Sequence, residues 1–215
     1  MHQVAFYIGS WPIHWYGLAW GISFIWMRLA PVYTGCITQE NKEQWYCFID
    51  YGLLAAVVGG RLGWVIFYQP HLLGFHVFEL WHGGMSFHGA LVMGVAYTYV
   101  FSKVYHISAL CMMDHIAFFI PVPLGIVRVA NFINGEIWGR VTESKFGVLF
   151  EHADTQLRHP SQLYEAFGEG LLLFCVLYTI RPYCKRNGQL TGYAMVLYAT
   201  IRLFIEVLYR GIRPL

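Results

Sequence analysis

Residues 128–140 read Arg-Val-Ala-Asn-Phe-Ile-Asn-Gly-Glu-Ile-Trp-Gly-Arg and follow an apolar run that begins near Leu110. An arginine, two asparagines and a glutamate therefore stand where a membrane helix is predicted to end. Upstream, residues 83–89 read Gly-Gly-Met-Ser-Phe-His-Gly and open another apolar run. Ionisable residues at bilayer depth are costly and usually face a bundle interior or a wet cavity. The pattern predicts a scaffold that brings Arg128 and His88 together.

The composition indicates an integral membrane protein. Of the 215 residues, 57% are hydrophobic and only 12% are charged, whereas a soluble domain carries about 25% charged residues. The formal net charge of +2 and the lack of a Lys/Arg tract give no support for a nucleic-acid partner. The five cysteines show no CxxC spacing and are interpreted as small apolar residues.

The apolar segments predict an all-α integral membrane protein with about six transmembrane helices, because a helix that crosses hydrocarbon needs roughly 20 residues. The predicted spans cover approximately residues 11–28, 45–68, 85–105, 110–131, 163–180 and 190–209. Between spans four and five, residues 135–162 are too long and too mixed for a plain turn, so they predict an ordered extramembrane arm. The whole chain, residues 1–215, is expected to form a single transmembrane domain.

The distribution of Lys and Arg over the short loops predicts the orientation in the membrane. The loops after spans one, three and five, with their flanks, hold the basic residues Arg28, Lys42, Lys103, Arg181, Lys185 and Arg186. These loops are expected in the cytoplasm, with the arm and both chain ends on the other side. Arg210 and Arg213 argue against this orientation.

Two arginines share a helix face with other polar residues. Asn131 follows Arg128 by three positions, and Tyr198, Arg202 and Glu206 are spaced by four. An intrahelical ion pair between Arg202 and Glu206, which neutralises both charges in the membrane, explains the second group equally well. Guanidinium groups bind phosphate through paired hydrogen bonds. Two of them near one membrane surface suggest a site for a phospholipid head group.

His88 lies inside a predicted span, near its outer end. A lone histidine in a helix is more often a packing residue than a catalyst, but this one follows a Gly-Gly pair at the predicted depth of Arg128. Its ordinary pKa of about 6.5 suits a base for a thiol or hydroxyl. A metal site is not favoured, because spacings of five and six residues do not align ligands on one helix face. Its ligands would be His71, His76, His82 and His88.

The remaining polar residues in or beside the spans have less specific interpretations. Glu165 and Glu169 are like charges four residues apart, so one is expected to be protonated or paired with an arginine. Asp114 is interpreted as structural. Tyr16 and Trp138 suit interfacial anchors as well as a site.

Several segments resemble the bacterial prolipoprotein diacylglyceryl transferase family. The motifs that carry the resemblance are Gly-Gly-Met-Ser-Phe-His-Gly at 83–89, Asn-Phe-Ile-Asn-Gly-Glu-Ile-Trp-Gly-Arg at 131–140 and Arg-His-Pro-Ser-Gln-Leu-Tyr-Glu at 158–165. Also similar are His-Trp-Tyr-Gly at 14–17, Gly-Gly-Arg-Leu-Gly at 59–63 and Tyr-Ala-Thr-Ile-Arg-Leu-Phe-Ile-Glu at 198–206. The matches follow the family's order across nearly the whole chain, so together they are far more specific than any single one.

The resemblance implies an enzyme of the bacterial inner membrane with its active site towards the periplasmic face. It would move the diacylglyceryl group of phosphatidylglycerol to the lipobox cysteine of a preprolipoprotein signal peptide, releasing glycerol phosphate without a cofactor. Catalytic roles are implied for His88, Arg128 and Arg202. The implied substrate-binding residues are Tyr16, Arg61, Asn131, Glu136, Gly139, Tyr198 and Glu206.

The residue types fit this chemistry. A thiol with a pKa of about 8.5 must become a thiolate before it attacks carbon. The leaving group is a phosphate monoester dianion, and cationic groups stabilise its growing charge. The hypothesis is that Arg128 and Arg202 hold the phosphate while His88 assists deprotonation of the thiol. Whether His88 or an arginine governs the proton step stays open.

Two features depart from the family pattern. Val127 stands where the family signature has glycine before its arginine, and a branched residue there could crowd lipid or shift the backbone. The sequence ends at Leu215, just after the sixth predicted span, whereas family members usually continue into a seventh. These departures leave open a non-catalytic relative that binds phospholipid or lipoprotein signal peptides.

A small membrane transporter is a third alternative, because arginines, histidines and glutamates inside spans can line a pathway. Against it, the polar residues are predicted to cluster on one side of the membrane, and no inverted repeat is visible. The transferase is the favoured interpretation.

Overall fold

Helices make up most of the computed structural model, which describes residues 3–72, 74, 79, 83–151 and 153–210. The α-helices are α1 Trp15–Tyr33, α2 Lys42–Tyr68, α3 Phe87–Val104, α4 Ala109–Phe119, α5 Pro121–Asn134, α6 Ser161–Glu165, α7 Leu173–Ile180 and α8 Gln189–Ile205. A π-helical segment, Ala166–Leu172, joins α6 to α7, and a second, Glu206–Arg210, continues α8. Single 3-10 turns cover Pro70–Leu72 and Arg181–Tyr183.

The predicted first span is wrong at its start, because residues 11–14 form a strand. Strand β1, Val4–Ile8, pairs antiparallel with β2, Trp11–His14, and α1 begins only at Trp15. Gly9 has a φ of 62° and supplies the positive dihedral angle of the tight turn between the strands. β-branched and aromatic residues favour extended backbone, so an apolar stretch rich in them formed a hairpin instead of extending the helix.

Three helical stretches are long and apolar enough to cross a membrane, namely Lys42–Tyr68, Ser161–Tyr183 and Gln189–Arg210. Helices α4 and α5 add a fourth if they count as one span with a bend of 41°. Pro121 stands at the first position of α5, where its missing N–H and its ring disfavour an unbroken helix. These helices indicate a multi-pass membrane protein, and the count of six spans stays a prediction.

The chain divides into two compact units, Met1–Ala30 with Asp114–Leu215 and Pro31–Met113. In the second unit, α2 and α3 approach each other at backbone distance through glycines. A Cβ atom added to Gly63 would lie 2.7 Å from Cα of Gly89. Small residues at such a crossing let helix backbones come close within a membrane. The prediction of a single domain stays a prediction.

Close glycine contact also brings α5 and the first π segment together in the first unit. A Cβ atom on Gly170 would lie 2.8 Å from Cα of Gly125. Elsewhere in this unit, Asp114 accepts hydrogen bonds from the backbone N–H groups of Gly188 and Thr191, at 2.7 and 2.8 Å. Asp114 therefore caps the start of α8, and its interpretation as a structural residue is confirmed.

The predicted arm is ordered by backbone hydrogen bonds rather than by helices. Thr142 N–H donates to the Leu157 carbonyl at 2.8 Å, and Val148 and Arg158 exchange a pair of bonds at 2.9 and 3.0 Å. Asp154 holds Arg158 through an ion pair of 2.6 Å, which lowers the pKa of the Asp154 carboxyl. The arm gives way to α6 at residue 161, and its location outside the membrane stays a prediction.

Candidate active site

Six charged side chains from three helices meet inside the first unit. We call this group the arginine–glutamate cluster, and its members are Arg128, Glu165, Glu169, Arg202, Glu206 and Arg210. Helix α5 supplies the first arginine, α6 and the π segment after it supply two glutamates, and α8 with its π extension supplies the rest. Three positive and three negative formal charges balance.

Glu165 lies at the centre of the cluster and has no exposed side-chain surface. Its Oε2 atom lies 2.8 Å from Nε of Arg128. Its Oε1 atom lies 3.2 Å from Nη1 of Arg202 and 3.4 Å from Nη1 of Arg210. A carboxylate buried in apolar surroundings is tolerated only when it is paired, and Glu165 has three arginine partners.

Glu169 is equally buried and pairs with Arg202, whose Nη1 donates a hydrogen bond of 3.1 Å to Oε1. Its Oε2 atom lies 3.8 Å from Nε of Arg128. The expectation that Glu165 or Glu169 pairs with an arginine is confirmed for both residues. The predicted intrahelical pair is also confirmed, since Nη2 of Arg202 lies 3.2 Å from Oε2 of Glu206.

The two π-helical segments place charged residues in the cluster. Glu169 lies within Ala166–Leu172, and Glu206 and Arg210 are the first and last residues of the second segment. A π turn bonds residue i to i+5, and such turns occur frequently at functional sites. Both of the described π segments therefore carry members of the arginine–glutamate cluster.

Arg128 and Arg202 approach the glutamates through different atoms. Both Nη atoms of Arg202 contact glutamates. The shortest approach of Arg128 to Glu165 and to Glu169 is through Nε, at 2.8 and 3.8 Å. The Arg128 side chain is 19% exposed, so its guanidinium is accessible to an oxyanion.

The residues after Arg128 build a polar turn at the end of α5. The side-chain amides of Asn131 and Asn134 each lie 3.4 Å from a carboxylate oxygen of Glu136. Gly135 ends the helix with a φ of 70°, and Gln162 donates to the backbone carbonyl of Glu136. The structure thus brings Asn131, three positions beyond Arg128, together with Glu136, and their role in substrate binding stays a prediction.

Gly139 lies where the arm crosses the end of the α8 extension. Its N–H donates to the His159 carbonyl at 2.9 Å, and the next amide, of Arg140, donates to the Tyr209 carbonyl at 2.9 Å. A Cβ atom on Gly139 would lie 2.8 Å from the His159 carbonyl oxygen and closer still to that of Tyr209. The structure therefore explains this glycine by the close approach of backbones.

His159, whose carbonyl accepts the hydrogen bond from Gly139, lies in surroundings that lower the pKa of its imidazole. Desolvation, and then the positive charge of Arg140, lower the pKa of the His159 imidazole. Its Nδ1 atom lies 3.3 Å from the Tyr164 hydroxyl, and its ring packs edge-on against Tyr209. A neutral imidazole suits this position because Nδ1 can then accept the hydroxyl hydrogen bond.

The two predicted tyrosines lie on different helices. Tyr198 precedes Arg202 by one turn of α8 and is half-buried. Tyr16 is 39% exposed and packs edge-to-face on Trp20, with ring centroids 6.2 Å apart. The structure gives Tyr16 no polar partner among the described residues, so its role in substrate binding stays a prediction.

Arg61 and His88 belong to the second unit. Arg61 is only 3% exposed, donates to the carbonyls of Gly83 and Gly84 and stacks over Trp64 at 4.9 Å. It therefore orders the Gly-Gly segment that precedes α3. His88 is the second residue of α3 and is exposed. That it acts beside Arg128 stays a prediction, and the histidine metal alternative is not tested because His76 and His82 lie outside the described residues.

An apolar cavity of about 480 Å³ lies in the first unit between α1, α5 and the first π segment. Its lining includes Ile22, Ile126, Val129, Ala166, Leu171 and Phe174. Val129 directly follows Arg128, and Ala166 directly follows Glu165. The cavity therefore shares α5 and the first π segment with the cluster and offers an apolar surface within the same unit.

Sequence reasoning missed Glu165, Glu169 and Arg210 as site residues. A signal for the arginine was present, because Arg210 continues the spacing by four through Arg202 and Glu206. Two glutamates one turn apart in an apolar span also required a cationic partner. Their shared arginines lie on other helices, and only the fold brings these helices together.

The helices indicate a multi-pass membrane protein whose first unit holds a charged cluster and an apolar cavity. The chain belongs to the prolipoprotein diacylglyceryl transferase family, whose sequence profile matches residues 3–212. It is 39% identical to the phosphatidylglycerol–prolipoprotein diacylglyceryl transferase of Rickettsia bellii (strain OSU 85-389), over 96% of this chain and 82% of that protein. The similarly named proteins of Rickettsia akari (strain Hartford) and Rickettsia typhi (strain ATCC VR-144 / Wilmington) are 39% and 37% identical, over 96% of this chain and 83% of each relative.

Proposed function

We propose that this protein transfers the diacylglyceryl group of phosphatidylglycerol to the lipobox cysteine thiol of a preprolipoprotein and releases glycerol phosphate. The observation that carries the proposal is the partly exposed guanidinium of Arg128, in a unit that also holds an apolar cavity. It occurs in a chain that belongs to the transferase family and is similar to relatives named for this reaction. The guanidinium suits the phosphate, and the cavity suits an acyl chain.

The reaction exchanges one bond for another. The thiolate forms an S–C bond to the glyceryl carbon that carries the phosphate oxygen, and the C–O bond breaks with its electron pair on that oxygen. The proton of the thiol passes to His88 in our proposal. The phosphate changes from a monoanion to a dianion, and Arg128 stabilises the added charge directly. Arg202 contributes to this charge stabilisation as a member of the arginine–glutamate cluster.

Other residues complete the proposed site. Asn131, Glu136 and Tyr198 would contact the glycerol hydroxyls or the phosphate oxygens. Tyr16 would contact lipid at the membrane interface. Arg61, Gly139 and Glu206, which are also predicted to bind substrate, would contribute by holding the surrounding backbone and charges through the contacts described above.

The membrane arrangement is part of the proposal. Six spans, with residues 135–162 as an extramembrane arm, would cross the bacterial inner membrane. The active site would face the periplasm, since basic residues concentrate in the loops expected on the cytoplasmic side. Helices long enough to span and the membership of the family support this arrangement.

The proposal is tested by the mass of a lipobox-cysteine peptide after incubation with purified protein and phosphatidylglycerol. We expect a diacylglyceryl mass gain on the cysteine, absent from a peptide with serine in its place and absent with Arg128→Ala or His88→Ala. Arg186→Ala and His71→Ala, both on exposed residues, are the matched controls and should retain transfer. A folded wild-type protein that binds phosphatidylglycerol without transferring it would overturn the enzyme proposal and favour a binding relative.

A further inference from the structure

The two carboxylate oxygens of Glu165 contact different arginines. Oε1 faces the arginines of α8 and its extension, Arg202 at 3.2 Å and Arg210 at 3.4 Å. Oε2 faces Arg128 of α5 at 2.8 Å. The carboxylate is therefore fixed from one side by two cations, while its other oxygen is left to hold the third.

The ion pair with Glu165 restrains the Arg128 guanidinium. The shortest approach between the two side chains joins Oε2 of Glu165 to Nε of Arg128 at 2.8 Å, and the Glu165 side chain has no exposed surface. A guanidinium held against a buried carboxylate has fewer orientations open to it than a free side chain. The 19% exposed Arg128 side chain is thus positioned before a ligand binds, and positioning of this kind lowers the cost of reaching the transition state.

We infer that Glu165 is a positioning residue that holds the guanidinium of Arg128 in place for the phosphate ester of the lipid. The inference rests on the proposed function and assigns to Glu165 no contact with substrate. Glu169 is the weaker partner, because its oxygen lies 3.8 Å from Nε of Arg128 and its directed hydrogen bond is with Arg202. Arg202 and Arg210 serve this role indirectly, by compensating the charge of Glu165.

The consequence for catalysis is a loss in kcat rather than in KM. The phosphate carries one negative charge in the bound lipid and two in the leaving group, so a misdirected Arg128 fork costs more in the transition state than in the ground state. Glu165→Gln keeps the size of the side chain and removes its charge. We expect its kcat to fall roughly 10- to 100-fold with KM for phosphatidylglycerol changed by about twofold or less.

The test is a double-mutant cycle with Arg128→Lys, in which a point charge replaces the fork. Transfer to a lipobox peptide is measured with phosphatidylglycerol in nanodiscs, together with displacement of a fluorescent phosphatidylglycerol as a binding readout. If Glu165 acts through Arg128, then Glu165→Gln should cost only about two- to threefold in the Arg128→Lys background. Glu143→Gln, on an exposed arm residue, removes the same charge and should change neither readout.

Equal losses from Glu165→Gln in both backgrounds would overturn the inference, as would a kcat within about twofold of wild type. If Glu165→Gln does not fold, Glu165→Asp keeps the charge and withdraws it by one methylene. A folded Glu165→Asp variant should have a melting temperature near that of the wild type and a lower kcat. A kcat equal to that of the wild type would reject the inference. Wild-type protein that neither binds nor modifies its substrates would instead reject the proposed function, and the inference with it.

Discussion

Asp114 on α4 accepts two hydrogen bonds from Thr191 on α8, one from its backbone N–H at 2.8 Å and one from its hydroxyl at 2.6 Å. The start of a helix has unpaired N–H groups, and here Asp114 binds two of them, from Gly188 and Thr191, which lie 74 and 77 positions away in sequence. The helix that carries Arg202 is thereby fixed at the end opposite to the cluster.

Asp114→Ala should lower the free energy of unfolding by about 1–3 kcal/mol, because it leaves N–H groups of α8 without acceptors. Thermal unfolding in detergent measures the change. Thr191→Val, which removes only the hydroxyl donor, should cost about half as much. A melting temperature for Asp114→Ala equal to that of the wild type would show that α8 does not depend on this cap.

Gly89→Ala should destabilise the second unit, since its added methyl group meets Cα of Gly63 at 2.8 Å and neither backbone can yield cheaply. The expected cost is about 1–3 kcal/mol, as for other overpacked contacts. Gly94→Ala is the matched control on the same helix, because its Cβ would have nothing within 4 Å. The control should melt at or slightly above the wild-type temperature, and equal losses in both variants would contradict the close crossing.

The lowered pKa of His159 predicts that the protein becomes less stable as the pH is lowered. Below about pH 6.5 the unfolded chain binds a proton at this histidine that the folded chain does not. Stability is therefore fully present above the unfolded pKa and is lost as the pH falls from there through the folded pKa.

Melting temperatures measured from pH 7.5 to 5 should fall more steeply for the wild type than for His159→Phe. Phenylalanine keeps the ring against Tyr209 and removes the titration. His71→Phe, at an exposed residue, controls for the loss of any histidine. Parallel curves for the wild type and His159→Phe would reject the assignment.

Arg128→Ala and Arg202→Ala should differ in their effect on stability. Arg202 contacts three glutamates, two of them without exposed surface. Its removal should cost about 2 kcal/mol, less than for a fully buried pair because Arg202 itself is 26% exposed. Arg128→Ala should abolish transfer with a smaller loss of stability.

Thermal unfolding and transfer activity, measured on the same preparations, separate the two effects. Adding Glu169→Gln to Arg202→Ala should restore part of the lost stability without restoring transfer, since it removes a carboxylate that lacks a partner. If the two single variants lose equal stability, the proposed division of labour between the arginines is wrong.

The sequence predicted the parts of this site that depend on spacing along one helix. The Arg202–Glu206 pair follows from a separation of four residues, and the need of Glu165 and Glu169 for arginine partners follows from their charge in an apolar span. Asp114 was also interpreted correctly as structural. Each of these inferences uses local geometry or the cost of an unpaired charge.

What the sequence did not predict depends on tertiary contacts or on backbone detail. The ion pair of 2.8 Å between Arg128 and Glu165 joins residues 37 positions apart on two helices, and no periodicity in the sequence relates the two residues. Residues 11–14, the second strand of the hairpin, were interpreted as the start of a span, because apolar composition does not distinguish a strand from a helix. The π turns that place Glu169 and Arg210 leave no pattern in composition.

The contact between the arm and the end of α8 connects the arm to the arginine–glutamate cluster. The Arg140 amide is bonded to the Tyr209 carbonyl, and Tyr209 is followed directly by Arg210, which contacts Glu165. A peptide that pushed the arm would therefore also shift a positive charge within the cluster. Movement of the arm would thereby change the electrostatic environment of Arg128, even if the bound polypeptide made no direct contact with Arg128.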